Sequence, residues 1–241
     1  RQEQEAIFRG PHWSFVALEA EIPKSGDYKT TFVGDTPVIV MRGADGTVHV
    51  SVNRCAHRGA LVVRDLRGNR SSLECVYHQW CYAPDGKLVG VPFRRGIKGQ
   101  GGMPADFDMS QHGLQRLRVE CLNGLVFASF DAATPPLADY LGPMVVESIA
   151  RIFRRPVRVL GDLRQYVHGN WKLYAENTRD PYHASLLHLF HTTFGTYRSS
   201  QKGGVKLDPE HRHSMLYASS DSNDAQQDQE IYKDMRSFNA Q

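Results

Sequence analysis

Across residues 15–130 the chain is a succession of short apolar or alternating runs broken by turn residues. Phe15-Val16-Ala17-Leu18, Pro37-Val38-Ile39-Val40-Met41, Val48-His49-Val50-Ser51-Val52 and Leu125-Val126-Phe127-Ala128 have strand length and β-branched content. Between such runs stand Ser25-Gly26-Asp27, Ala44-Asp45-Gly46 and Pro84-Asp85-Gly86, residues that favour turns. Ala44-Asp45-Gly46-Thr47 between two apolar runs predicts a hairpin. This region reads as all-β, a sandwich or small barrel with several sheets. Ahead of it, residues 1–10 read as a short amphipathic helix stopped by Gly10-Pro11. After it, Pro135-Pro136 ends the pattern. Residues 137–152 then predict a helix, 157–168 a strand, 170–178 and 181–193 helices, 212–219 a strand and 219–230 a loop. The expected class is α+β: a helix over 1–10, a β domain over 11–131 and an α+β part over 132–241.

Composition adds exclusions. With 41% hydrophobic and 23% charged residues, the 241-residue chain is ordinary for a globular protein and wrong for a disordered one. No apolar run approaches the roughly 18 residues of a membrane span, and the first residues lack the apolar core of a secretory signal. A net charge of +3 makes no case for nucleic acid, and four cysteines are too few for a disulfide scaffold. The expectation is a soluble, cytoplasmic protein with neither nucleic acid nor membrane as partner.

The sharpest chemical feature is Cys55-Ala56-His57-Arg58-Gly59, followed by Cys75-Val76-Tyr77-His78. Each segment pairs one thiolate with one imidazole after an apolar, strand-like stretch. Two buried cysteines and two unrelated surface histidines would be a coincidence repeated within one β domain. A two-Cys, two-His zinc site is a second reading, but such sites usually pair Cys with Cys and His with His along the chain. The interleaved order suits a [2Fe–2S] cluster in which the cysteines hold one iron and the histidines the other. Neutral imidazoles in place of two thiolates remove negative charge and raise the potential above that of an all-Cys cluster. Gly59 permits a tight first loop, and the histidine-bearing iron is expected nearer the surface.

On these residues the sequence resembles the Rieske family. Rieske proteins of respiratory complexes usually carry one more cysteine in each loop, joined as a disulfide; here those positions are Ala60 and Tyr77. Cys-x-His-Arg-Gly and Cys-x-Tyr-His-x-Trp, ending at Trp80, resemble the oxygenase branch instead. Cys81 and Cys121 remain as structural cysteines.

A second constellation follows. In the stretch from Asn170 to His191, Asp180-Pro181 reads locally as a helix N-cap and first position. That leaves His183, His188 and His191 within an apolar helical pattern. At about 100° per residue, His188 and His191 lie about 60° apart and His183 and His188 about 140° apart, so an ideal helix favours the former pair and a bulge is needed for the latter. The spacing alone leaves the pair open. Asp-x-x-His-x-x-x-x-His resembles the mononuclear-iron motif of the large (α) subunits of aromatic-ring-hydroxylating Rieske oxygenases. The resemblance implies His183 and His188 as ligands of Fe(II) in a two-His, one-carboxylate triad. It implies Asp180 as the aspartate that links a cluster histidine of one subunit, by analogy His78, to His183 of the next, and places Asn177 beside the iron.

By that resemblance the fold is a Rieske domain followed by an incomplete helix-grip catalytic domain, with a third iron ligand, an aspartate, beyond residue 241. The implied function is the oxygenase component of a multicomponent hydroxylase, with dioxygenation ahead of monooxygenation. Electrons from NAD(P)H arrive through a reductase or ferredoxin, and O2 attacks an aromatic, carboxylated substrate of the benzoate, salicylate, anthranilate or terephthalate kind. The implied assembly is a bacterial homotrimer, with or without a β subunit. The alternative is a Rieske electron carrier without oxygenase chemistry. Outside these motifs, the glycine-rich residues 96–102 read as a mobile surface loop rather than a phosphate cradle, since no helix follows in register. Arg94-Arg95 and the group Arg151, Arg154, Arg155 and Arg158 read as solvated cations, or as docking patches for an acidic electron donor.

Overall fold

In the computed structural model, which describes residues 2–181, 183, 187, 188, 190, 194 and 202–219, the apolar runs of the first half pair into three antiparallel sheets. The largest has the order β4-β3-β2-β5, built from β2 (Asp27–Val33), β3 (Thr36–Arg42), β4 (Val48–Val52) and β5 (Arg67–Asn69). β1 (Ser14–Leu18) pairs with β10 (Leu125–Ser129), which pairs with β9 (Arg118–Leu122). A small third sheet joins β6 (Leu73–Glu74), β7 (Cys81–Tyr82) and β8 (Leu88–Gly90). The β3–β4 hairpin turns where Asp45-Gly46 predicts: Gly46 takes φ +83°, and Asp45 Oδ1 accepts the Thr47 N–H at 2.9 Å.

Valines on the inner faces of β1, β2, β3, β4 and β10 form one core with Ile22 and Leu117. A second core, of Tyr28, Ile39, Met41, Val62, Val63, Leu73, Leu88 and Leu114, encloses Cys55, Cys75, Trp80 and Tyr82. The cysteines of both Cys-His segments are thus part of a packed interior. Before β1, residues Gln4–Phe8 form one π-helical turn, closed by Arg9 N–H on the Gln4 carbonyl.

The predicted helix over 137–152 is present as α1 (Leu137–Ile152), bent at Gly142 (φ +70°) where Pro143 follows. Its Leu137 and Leu141 bury against Trp13 and Phe127. The chain divides into two compact units, residues 1–162 and 163–241. In the second, α2 (Trp171–Asn177) begins where Asn170 Oδ1 accepts the Lys172 N–H, and a hairpin joins β11 (Lys202–Leu207) to β12 (Ser214–Ser219).

Two expectations change. Residues 157–168 form no strand: Leu160, Leu163 and Tyr166 are almost wholly exposed, and no neighbouring strand among the described residues offers a ladder. β11 is a strand that sequence pattern misses, because Gly203-Gly204 lowers its propensity. Its glycines let the backbone approach β12 closely, a Cβ on Gly203 falling 2.7 Å from the Tyr217 carbonyl oxygen. The segment read as a loop after Ser219 lies outside the described residues, as does His191. No helix among the described residues is long and apolar enough to cross a membrane.

Candidate metal centres

The two Cys-His loops are conformational twins. In the first, which follows β4, Cys55 N–H donates to the Ala60 carbonyl at 2.8 Å and the Cys55 carbonyl accepts from Gly59 N–H at 2.8 Å. In the second, which follows β6, Cys75 N–H donates to the Trp80 carbonyl at 2.9 Å and the Cys75 carbonyl accepts from Gln79 N–H at 2.8 Å. The fourth residue after each cysteine is left-handed, Gly59 at φ +69° and Gln79 at +56°. Glycine meets this demand freely, whereas glutamine carries a backbone strain of about 1 kcal/mol. Asn53, fully buried, anchors the first loop from beneath. Its Oδ1 accepts the N–H groups of Val62 and Val63 at 2.9 Å, and its Nδ2 donates to the Val63 carbonyl at 2.7 Å.

Cys55 and Cys75 share the second core, and His57 and His78 approach each other. Cys55 and Cys75 are buried, His57 is half-buried and His78 is exposed. The two imidazoles meet edge to face with centroids 4.6 Å apart. Burial holds the His57 pKa below its ordinary value, aided by the charges of His78 and Arg58, which favours the neutral imidazole. His57 Nδ1 is buried without a hydrogen-bond partner, a costly state unless something uses its lone pair. A metal ion does so. Two loops that each offer one thiolate and one imidazole can give the cysteines to one iron and the histidines to the other, so the donor set fits a [2Fe–2S] group.

Two neighbours carry no role in the sequence reading. The Tyr82 hydroxyl lies 3.1 Å from Cys55 Sγ and accepts the Ala56 N–H at 3.1 Å. Either atom can donate when Cys55 is a thiol, but a metal-bound thiolate can only accept, and the hydroxyl is then the donor. Burial and the adjacent Cys55 push the Tyr82 pKa up, so the hydroxyl keeps its proton to donate. Trp80 stacks on His57 at 4.8 Å with planes 9° apart, and is held in turn by the ring edges of Phe107 and His112. Tyr82 has no local signature, since only tertiary packing brings it to Cys55, 27 residues away.

In the second unit, Asn177 is the last residue of α2, and its carbonyl accepts the Asp180 N–H at 3.4 Å. Asp180 Oδ2 lies 3.2 Å from His183 Nδ1, and the His183 and His188 rings meet at 5.1 Å and 68°. Residues 183 and 187 are helical and 188 is not. Asp180 and His183 are neighbours, as are His183 and His188, and Asn177 joins Asp180 through its backbone; two imidazoles and a carboxylate are the donor types of a facial-triad iron site.

Residues 12–100 match the Rieske [2Fe-2S] domain family. The chain is 60% identical over 216 residues to the anthranilate 1,2-dioxygenase large subunit of Burkholderia cepacia, covering 89% of this chain and 51% of that protein. It is 49% identical to the terephthalate 1,2-dioxygenase terminal oxygenase component subunit alpha 2 of Comamonas sp, covering 97% of this chain and 57% of the relative. The crystal structure of naphthalene 1,2-dioxygenase from Rhodococcus sp. bound to indole superposes with a TM-score of 0.71 at 30% identity, covering 86% of this chain and 50% of that one. The chain spans about half the length of the curated relatives it matches.

Proposed function

Because the chain belongs to the family of Rieske ring-hydroxylating oxygenase large subunits, we propose that it is the oxygenase component of a multicomponent hydroxylase acting on an aromatic carboxylate. The observation that carries this reading is the presence in one chain of two separate imidazole pairs, one flanked by buried cysteines and the other by Asp180. The relatives named for anthranilate and terephthalate support the substrate class, and their naming as dioxygenases favours an oxygenase over a bare electron carrier.

In this proposal Cys55, Cys75, His57 and His78 hold the cluster, and His183 and His188 hold Fe(II), with a third, carboxylate ligand from outside the described residues. The two groups supply one-electron storage and oxygen activation when bound. The chain's own residues do the rest. Cys55 and Cys75 are buried away from competing ligands, Tyr82 donates to Cys55, and Trp80 fixes the plane of His57. Asp180 Oδ2 stands 3.2 Å from His183 Nδ1, an atom buried without a hydrogen bond in this structure, close enough for the carboxylate to orient the ring when iron is bound. In a homotrimer supplied by a reductase or ferredoxin, with or without a β subunit, Asp180 also faces His78 of the partner subunit, and Asn177 borders the iron.

The test is a pair of variants in the whole protein. H183A/H188A retains the Rieske EPR signal of the reduced cluster but loses the mononuclear iron and product formation from anthranilate. D180N keeps both metals and slows product formation. A colourless, EPR-silent protein overturns the cluster, and full hydroxylation by H183A/H188A overturns the iron site.

A further inference from the structure

From Lys87 to Ala105 the chain contains no Asp or Glu and four cations, Lys87, Arg94, Arg95 and Lys98. The last three cluster on a small surface hairpin whose shape is set by its own backbone. Ile97 and Gln100 bridge each other, Gly96 N–H donates to the Phe93 carbonyl at 2.8 Å, and Met103 N–H donates to the Arg94 carbonyl at 2.9 Å. Phe93, Gly96, Lys98, Gly99, Gly101 and Gly102 all take positive φ. A Cβ on Gly96 would fall 2.3 Å from the Gln100 carbonyl oxygen, so the fold of the hairpin requires glycine there. The stretch is a hydrogen-bonded hairpin, not the shapeless loop its glycine content suggests.

It presents Phe93 and Ile97, 71% and 63% exposed, flanked by three cations. Among the described residues none of Arg94, Arg95 and Lys98 is held in an ion pair; Arg94 donates to the Met109 sulfur instead. Beneath the hairpin, Met103, Phe107 and Met109 pack against the core that holds Cys55, Cys75 and Trp80. Phe107 touches Trp80 at 5.9 Å, and Trp80 stacks on His57. The hairpin is therefore the outer layer of a packing whose inner layer is the candidate ligand shell.

We infer that this hairpin is the docking surface for the acidic face of a one-electron-carrying protein. The inference rests on the Rieske reading of the site. An apolar centre with unpaired cations at its rim complements a partner with an apolar contact inside an acidic ring, and charge of this kind steers encounter at low salt. Charge repulsion disfavours contact with a second copy through this same face, and the hairpin's place beside Met103 and Phe107, which pack against the core of Cys55 and Cys75, suits a partner that must approach the cluster.

The experiment measures binding of the whole, cluster-loaded protein to an acidic plant-type [2Fe–2S] ferredoxin by calorimetry at low and high salt. R94E/R95E/K98E is expected to raise Kd about tenfold or more at low salt and to flatten the salt dependence. R154E/R155E, on the separate basic cluster, leaves Kd unchanged, and the EPR signal of the reduced cluster is the same in all three proteins. The inference is overturned if the wild type does not bind, if the triple reversal leaves Kd unchanged, or if R154E/R155E weakens binding equally. It is also overturned if the triple reversal changes the protein's own sedimentation, which makes the face a contact between copies. Equal affinity for duplex DNA would likewise overturn it, making the face a general anion site. Loss of the EPR signal from the wild type would instead sink the cluster reading itself.

Discussion

At the scale of single residues, two side chains have effects that can be measured directly. The Tyr82 hydroxyl lies 3.1 Å from Cys55 Sγ and becomes its hydrogen-bond donor once the sulfur is a cluster-bound thiolate. Reduction adds negative charge to the cluster, so a donor on its sulfur stabilises the reduced form more than the oxidised one. Tyr82→Phe is expected to retain the cluster and lower its potential by about 60 mV, the equivalent of a charge-assisted hydrogen bond of about 1.4 kcal/mol for one electron. A redox titration followed by EPR reads the shift, and an unchanged potential removes Tyr82 from the account. Glu21 is the second case. Its carboxylate is almost wholly buried, receives Lys29 at 2.8 Å and Arg67 at 2.6 Å, and accepts the Leu18 N–H. Burial alone would raise its pKa; the Lys29 and Leu18 hydrogen bonds and the charges of Lys29 and Arg67 overcome that and hold it below the ordinary value. A depressed folded pKa gives stability that is present above the unfolded value, about 4.5, and lost as pH falls through the folded one. Glu21→Gln should therefore cost about 1–3 kcal/mol in denaturant unfolding at neutral pH. The gap to wild type should close below about pH 4.5. A gap independent of pH would contradict the assignment.

At the scale of elements, the twin loops make a paired prediction. Both need a left-handed residue four places after the cysteine, and only one has glycine there. Gly59→Gln should destabilise by about 1 kcal/mol through backbone strain alone, because nothing lies within 4 Å of the position a Cβ would take. Gln79→Gly relieves the same strain in the second loop and should not destabilise. Thermal unfolding of the two variants compares them, and equal losses would refute the twinning. Asn53 serves the first loop differently, because it satisfies three backbone groups at once. Asn53→Ala strands the Val62 and Val63 amides in the core and should cost about 2–4 kcal/mol.

At the scale of the whole molecule, the division into residues 1–162 and 163–241 coincides with a stretch of backbone that has no ladder to join. Leu160, Leu163 and Tyr166 stand in it more than four-fifths exposed. Chymotrypsin is expected to cut the 241-residue chain there first, leaving an N-terminal fragment that keeps the Rieske EPR signal. Mass spectrometry locates the cut, and first cleavage between β1 and β10 would contradict the packing described.

What the chain alone determines is the chemistry of its sites and the local turns that present it. Cys55, His57, Cys75 and His78 are recognisable because ligand type and spacing are local properties. The β3–β4 hairpin and α1 are legible for the same reason: Asp45-Gly46 and the apolar period of residues 137–152 act over a few residues. The tertiary structure decides everything that depends on distant partners. Tyr82 acquires its role only when β7 packs beside the first loop, and Trp80 only when His57 folds onto its face. Helical periodicity leaves His183, His188 and His191 unsorted; the structure brings His183 and His188 ring to ring, while His191 lies outside the described residues. Residues 157–168 carry a strand pattern but form none, while Gly-rich β11 carries little of one and does. A strand exists through hydrogen bonds to its neighbours, so whether it forms is decided by what lies beside it rather than by its own residues.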